Sequence, residues 1–184
     1  VFAESPNRIF IANRGELKLP DKLPPNFNGT WGGLGQAATQ GKPELRNNII
    51  IVDANGKLIE SWTQHDHLFQ GGRGPHRIRI NPHDPERHVW VVDDMRHQIF
   101  KFTNDGKRLV MRLTDPRPRQ TDAEVLANQP PGPLDFGQAA VLAFFPNGDF
   151  LVGDGYQNGR IIRFNAQGEL ISEFGLGNGI SVLI

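Results

Sequence analysis

Ile50-Ile51-Val52-Asp53-Ala54-Asn55-Gly56-Lys57-Leu58-Ile59-Glu60-Ser61-Trp62 reads as an apolar strand, a tight turn and a second strand. The phrase returns as Ile99-Phe100-Lys101-Phe102-Thr103-Asn104-Asp105-Gly106-Lys107-Arg108-Leu109-Val110. It returns again as Ile161-Ile162-Arg163-Phe164-Asn165-Ala166-Gln167-Gly168-Glu169-Leu170-Ile171-Ser172-Glu173-Phe174. Each copy sets Asn-Gly, Asp-Gly or Gln-Gly between β-rich runs, a strong short-range hairpin signal. A second phrase precedes each copy: a Pro-containing turn, then a strand ending on a polar residue. It occurs at Pro6 to Asn13, Asn81 to Asp93 and Phe145 to Asp154. Upstream of the last two lies one more strand, Pro75 to Ile80 and Gln138 to Phe144.

Each unit therefore reads as four short antiparallel strands, and the fold class as all-β. The anchor glycines 56, 106 and 168 are 50 and 62 residues apart, close to the repeat of a β-propeller blade with insertions. The expected blades are 6–62, 75–112 and 138–174 of one partial propeller domain over 1–184. Strands are predicted at 8–12, 49–53, 58–62, 76–80, 88–92, 98–103, 108–112, 139–144, 149–153, 160–164 and 169–174. Long loops are predicted at 15–46 and 115–135, with a turn or two of helix over Thr121 to Asn128. Alternation assigns the core to Ile9, Ile11, Ile50, Val52, Ile78, Ile80, Val89, Val91, Ile99, Phe100, Val141, Ala143, Leu151, Ile161 and Phe164. Three blades do not close a ring; six would need about twice this length. The expectation is about half of a propeller, completed by self-association or by a second chain.

Composition narrows the function. The 184 residues carry 20 Lys+Arg against 20 Asp+Glu. A formal net charge of zero provides no basic excess for phosphate-driven nucleic-acid binding or for a polybasic membrane surface. The longest apolar stretch, Ala139 to Phe145, is far short of the ~20 residues that span a bilayer. The absence of Cys excludes disulfides, thiolate-held zinc, iron–sulfur clusters and a cysteine nucleophile. Gly71-Gly72-Arg73-Gly74 lacks the Lys-Ser/Thr of a phosphate loop, and no Gly-x-Ser-x-Gly segment occurs.

Three patches resemble the NHL-type propellers, and within them the peptidyl-α-hydroxyglycine α-amidating lyases, which split a C-terminal hydroxyglycine peptide into a peptide amide and glyoxylate. Ile11-Ala12-Asn13-Arg14-Gly15 is similar to that family's first-blade strand ending in Arg-Gly. Gly74-Pro75-His76-Arg77-Ile78 resembles its Pro-His segment, which holds a zinc-binding histidine. Val152-Gly153-Asp154-Gly155-Tyr156-Gln157-Asn158-Gly159-Arg160 resembles its Asp-Gly-Tyr-x-Asn-x-Arg segment, which holds the active-site tyrosine. The resemblance implies Tyr156 and Arg14 as catalytic residues and His76 as a metal ligand. It also implies zinc, a structural calcium ion, a small-molecule or peptide substrate and an extracytoplasmic or secreted location. There are departures: Gln157 stands where animal lyases have a disulfide cysteine, and Arg77 replaces a glycine. The family's two further zinc histidines and second active-site arginine come from later blades, so this chain alone is expected to bind zinc weakly and to lack lyase activity.

The residue types suit those roles. Imidazole is a zinc donor. A phenol, with an ordinary pKa near ~10, needs a cation or metal beside it to act as a base near neutrality. A guanidinium can grip a glycine-derived carboxylate bidentately. The other histidines read as structural: His65-Asp66-His67 makes an incomplete metal set, and His83, His88 and His97 fall in turns or outer strands. Arg73 and Arg77 flank His76 and either add positive charge for an anionic substrate or are simply solvated. The alternative reading is a non-catalytic propeller that binds a peptide, glycan or protein partner on its loop face.

Overall fold

The computed structural model describes residues 1–16, 44–115 and 132–175. Twelve strands form three four-stranded antiparallel sheets, each in chain order. The first holds β1 (Phe2–Ser5), β2 (Arg8–Ala12), β3 (Ile49–Val52) and β4 (Leu58–Ser61). The second holds β5 (Arg77–Ile80), β6 (Val89–Asp93), β7 (Gln98–Phe102) and β8 (Leu109–Leu113). The third holds β9 (Val141–Phe144), β10 (Phe150–Asp154), β11 (Arg160–Phe164) and β12 (Leu170–Phe174). These are propeller blades, with β1 and β2 of the first packed beside β5 of the second.

The repeated phrase is the outer hairpin of each blade. Gly56, Gly106 and Gly168 all take positive φ, at 77°, 68° and 84°, the left-handed region a side chain resists. Each accepts the same turn: Gly56 N–H donates to Asp53 O, Gly106 N–H to Thr103 O and Gly168 N–H to Asn165 O. The strand register shifts by a bulge just before each turn, which increases local twist.

Burial explains why the second blade is the most apolar. Val89 and Val91 join Phe10, Ile49, Ile51, Ile78 and Phe100 in a core between the first two blades. Trp90 and Val92, on the opposite face of the same strand, join Leu142, Phe150, Val152 and Ile162 between the second and third. Burying each such side chain contributes roughly 1.5–3 kcal/mol. The outer strands β4, β8 and β12 carry exposed Leu58, Ile59, Val110, Leu170, Ile171 and Phe174.

The structure corrects the expected core in two blades. Val52, Ile78, Ile80, Val89, Val91, Ile99, Phe100 and Phe164 are buried as expected. Ile9, Ile11, Ile50, Val141, Leu151 and Ile161 are only half-buried, and Ala143 is exposed. Their neighbours Phe10, Ile49, Ile51, Leu142, Phe150, Val152 and Ile162 hold the core instead. The cause is local: β3, β9 and β11 are apolar at adjacent positions, so alternation does not single out a face. Two elements were not expected. One is β1, the first strand of the first sheet. The other is a 3₁₀ helix, Thr63–Phe69, in place of a blade-edge loop. Most of the two long loops, and Thr121 to Asn128, lie outside the described residues. An antiparallel bridge between Glu16 and Glu44 joins the described ends of the first loop.

Candidate functional site

In an antiparallel blade the ends of the second strand and the start of the first lie on one side. Arg14 follows β2, His76 precedes β5, Asp94 follows β6 and Tyr156 follows β10, so three blades deliver four polar residues to the same end of the molecule. The contacts confirm it. Arg14 Nη2 lies 2.5 Å from His76 Nδ1, and the His76 and Tyr156 rings meet edge-on with centroids 6.5 Å apart. All three residues singled out in the sequence are therefore neighbours. Tyr156 is 55% exposed, which leaves its ring open to a ligand.

Asp94 organises the cluster, and sequence reasoning missed it. Its side chain is 3% exposed and faces two arginines: Arg14 Nη2 at 3.3 Å and Arg73 Nη2 at 3.0 Å. It also lies 3.7 Å from His76 Nδ1. The available signal was the Asp93-Asp94 doublet closing a continuously apolar strand. His76 titrates below the ordinary histidine range. Burial is the main cause; the Asp94 charge opposes it, while Arg14, Arg77 and Arg73 add to it. The neutral imidazole so favoured is the metal-binding form. Because a guanidinium only donates, Nδ1 accepts from Arg14, and Nε2 is the nitrogen left for other partners.

The Gly74-Pro75-His76 segment is seated closely. Gly74 has φ 78°, and a Cβ there would meet Arg14 Cα at 3.2 Å and Asn13 O at 3.3 Å. Arg14 Nε also faces Pro75 O at 3.4 Å.

A second assembly carries Tyr156. Asp154 Oδ1 accepts the Gly137 amide at 2.6 Å, and Oδ2 accepts Asn158 Nδ2 at 2.8 Å and Arg160 Nε at 3.0 Å. Arg160 also donates to the Gly132 and Asp135 carbonyls and to Glu173. Both Asp154 and Arg160 side chains are fully buried. Burial pushes the Asp154 carboxyl upward, against the pull of Asn158, Arg160 and the Gly137 amide. The Asp-Gly-Tyr-x-Asn-x-Arg segment thus has a physical reading: Asp, Asn and Arg clamp a loop that holds the tyrosine out.

His65 and His88 play structural parts. His65 is buried, with Nε2 2.7 Å from Gly106 O. Asp66 accepts the Asn47 and Asn48 amides, and His67 is exposed. Asp84, Glu86 and His88 form the only three-residue donor group of metal-ligating types among the described residues. That group is tied internally, since Asp84 accepts from Glu86 N–H and lies 2.7 Å from His88 Nδ1. It does not include His76.

Asp93 makes stability depend on pH. Burial pushes its carboxyl up to about 6, and Oδ2 has no hydrogen-bond partner. The folded protein therefore holds this proton more tightly than the unfolded chain. The stability linked to it is full below about pH 4 and is lost as pH rises through about 6, roughly 3 kcal/mol in all. Asp93→Asn is expected to gain roughly 1–3 kcal/mol on wild type between about pH 4.5 and 7.5 by urea unfolding. A constant difference across that range would refute the assignment.

No protein-family model matches the chain. Peptidyl-alpha-hydroxyglycine alpha-amidating lyase 1 of Drosophila melanogaster is 34% identical over 134 residues, 72% of this chain and 22% of the relative. This chain resembles the α-amidating lyases over about 70% of its length. A probable α-amidating lyase of Caenorhabditis elegans is 30% identical over 129 residues, 68% of this chain and 31% of the relative. The chain thus spans less than a third of the length of these relatives. Among solved structures, virginiamycin B lyase of Staphylococcus aureus aligns with a TM-score of 0.45 at 19% identity, over 71% of this chain and 34% of that one. Arg14, His76 and Tyr156, singled out by the sequence resemblance, are residues that the fold gathers in space.

Proposed function

We propose that this chain supplies one side of a lyase site for peptides ending in α-hydroxyglycine. The observation that supports the reading is the meeting of Arg14, His76 and Tyr156 from three blades, with Arg14 steered by a buried carboxylate. Arg14 holds the substrate carboxylate. Its side chain is 37% exposed, so one face is free for a ligand while Asp94 fixes the other. Tyr156 takes the proton of the substrate hydroxyl, the oxygen forms the aldehyde C=O as the C–N bond breaks, and that proton passes to the departing nitrogen, releasing peptide amide and glyoxylate.

His76 is one zinc ligand in this reading. Zinc takes four donors, and no three-donor set among the described residues contains His76, so the described residues do not complete a zinc site. A bound zinc would supply Lewis acidity toward the substrate oxygen. A structural calcium ion, a secreted location, and ring closure by self-association or a second chain belong to the same proposal.

Binding is the first test. A peptide ending in a free glycine carboxylate is expected to bind the 184-residue chain at least about tenfold more tightly than its amide, with the difference lost in Arg14→Ala. Glyoxylate release is the second. An assembly with a closed ring and zinc should turn over, and Tyr156→Phe should slow it by about 10²-fold or more. Equal binding of acid and amide would overturn the role of Arg14. Turnover by a monomer of this chain, with its mass measured in solution, would overturn the incomplete site.

A further inference from the structure

Beside the site lies a group of arginines that the lyase reading does not use. Arg77 and Arg79 are alternate residues of β5 and share one face, while Ile78 and Ile80 fill the core on the other. Both are half-buried. Among the described residues neither makes an ion pair. Arg79 only donates to the Ile78 carbonyl. Burial lowers the pKa of Arg79 and of His76, and the nearby Arg77 charge adds to both. Arg73 adds a third charge, 54% exposed. Against these and Arg14 stands Asp94, with Asp93 buried behind it and carrying the Arg96 amide. Four guanidiniums against two carboxylates leave the cluster cationic in a chain whose formal net charge is zero.

Two features select the ligand. Charges two residues apart on a strand are about 6.6–6.8 Å apart along it, the same period as alternate side chains of an extended peptide. The zero net charge also gives no long-range pull on a polyanion such as nucleic acid. We propose that β5 is a specificity surface for acidic peptides, with alternate Asp or Glu side chains of an extended substrate pairing with Arg77 and Arg79. The inference rests on the proposed function, since Arg14 is what holds the C-terminal carboxylate at the end of this row.

The test is fluorescence anisotropy on the full 184-residue chain with labelled peptides ending in glycine. One carries Glu at alternate positions, one Lys and one Ala; each is made as free acid and as amide. The Glu peptide is expected to bind about tenfold or more tightly than the Lys peptide, with the gap shrinking in about 0.5 M salt. The gap should close in the double variant Arg77→Ala/Arg79→Ala and survive in Arg77→Lys/Arg79→Lys. If the alanine double variant fails to fold, the peptide and salt series on wild type still decide. Equal binding of Glu and Lys peptides overturns the inference and leaves the lyase reading intact. Preference for Glu with no difference between acid and amide sustains the inference and overturns the Arg14 grip. A gap unchanged in the folded alanine variant, or an oligonucleotide that binds as tightly as the Glu peptide, overturns the inference.

Discussion

Asp154→Ala is expected to destabilise the protein by about 2–4 kcal/mol, because Arg160 loses its fully buried partner and keeps only the part-exposed Glu173 as a counter-charge, while the Gly137 amide loses its acceptor. Asp154 and Arg160 together join several parts of the third blade. The Asp154 carboxylate holds the Gly137 amide, Asn158 and Arg160, and Arg160 in turn ties down Gly132, Asp135 and Glu173. Both members of the ion pair are 0% exposed, so water cannot replace the lost partner. Tyr156→Phe is the control. The tyrosine sits on the clamped loop but is exposed, and its loss should leave the urea midpoint within about 0.5 kcal/mol of wild type. If the two variants unfold alike, the loop is not held by Asp154.

The second large effect is Gly106→Ala, expected to cost about 2–4 kcal/mol from overpacking and left-handed strain together. An added Cβ would lie 2.1 Å from the Trp62 ring. That ring cannot retreat easily, being wedged edge-on between Phe10 at 5.7 Å and Phe102 at 5.9 Å. Gly56 occupies the same place in the first blade's hairpin, with φ 77° but nothing within 4 Å. Gly56→Ala should therefore pay only the backbone strain, about 1 kcal/mol. Equal melting shifts for the two variants would show that the indole contact does not matter.

The hairpins and blades were legible because turn chemistry is local: a glycine with positive φ is needed wherever the bulged turn recurs, and the sequence shows it three times. The buried face was legible only in part. In β6 both faces are covered, so Val89 and Val91 were safe choices. In β3, with Ile49-Ile50-Ile51 in a row, every position is apolar, and only the packing of the neighbouring blade selects 49 and 51. Arg14, His76 and Tyr156 were found through resemblance to a family, and the fold brings them together. Asp94 was not found, because its role depends on an arginine 80 residues away in the first blade, and no local pattern reports that distance.

The outer hairpin turns and the site loops sit at opposite ends of the strands. At one end the three blades share the same glycine and the same backbone hydrogen bonds. At the other end they share almost nothing: a long insertion after β2, the Asp93-Asp94 corner after β6, and the clamped tyrosine loop after β10. Duplication of an ancestral hairpin pair would leave such a record, with one end of each copy held to its role in folding and the other free to diverge. A lineage built this way can acquire a new chemistry by changing one blade's loop at a time, since the scaffold of that blade is completed elsewhere.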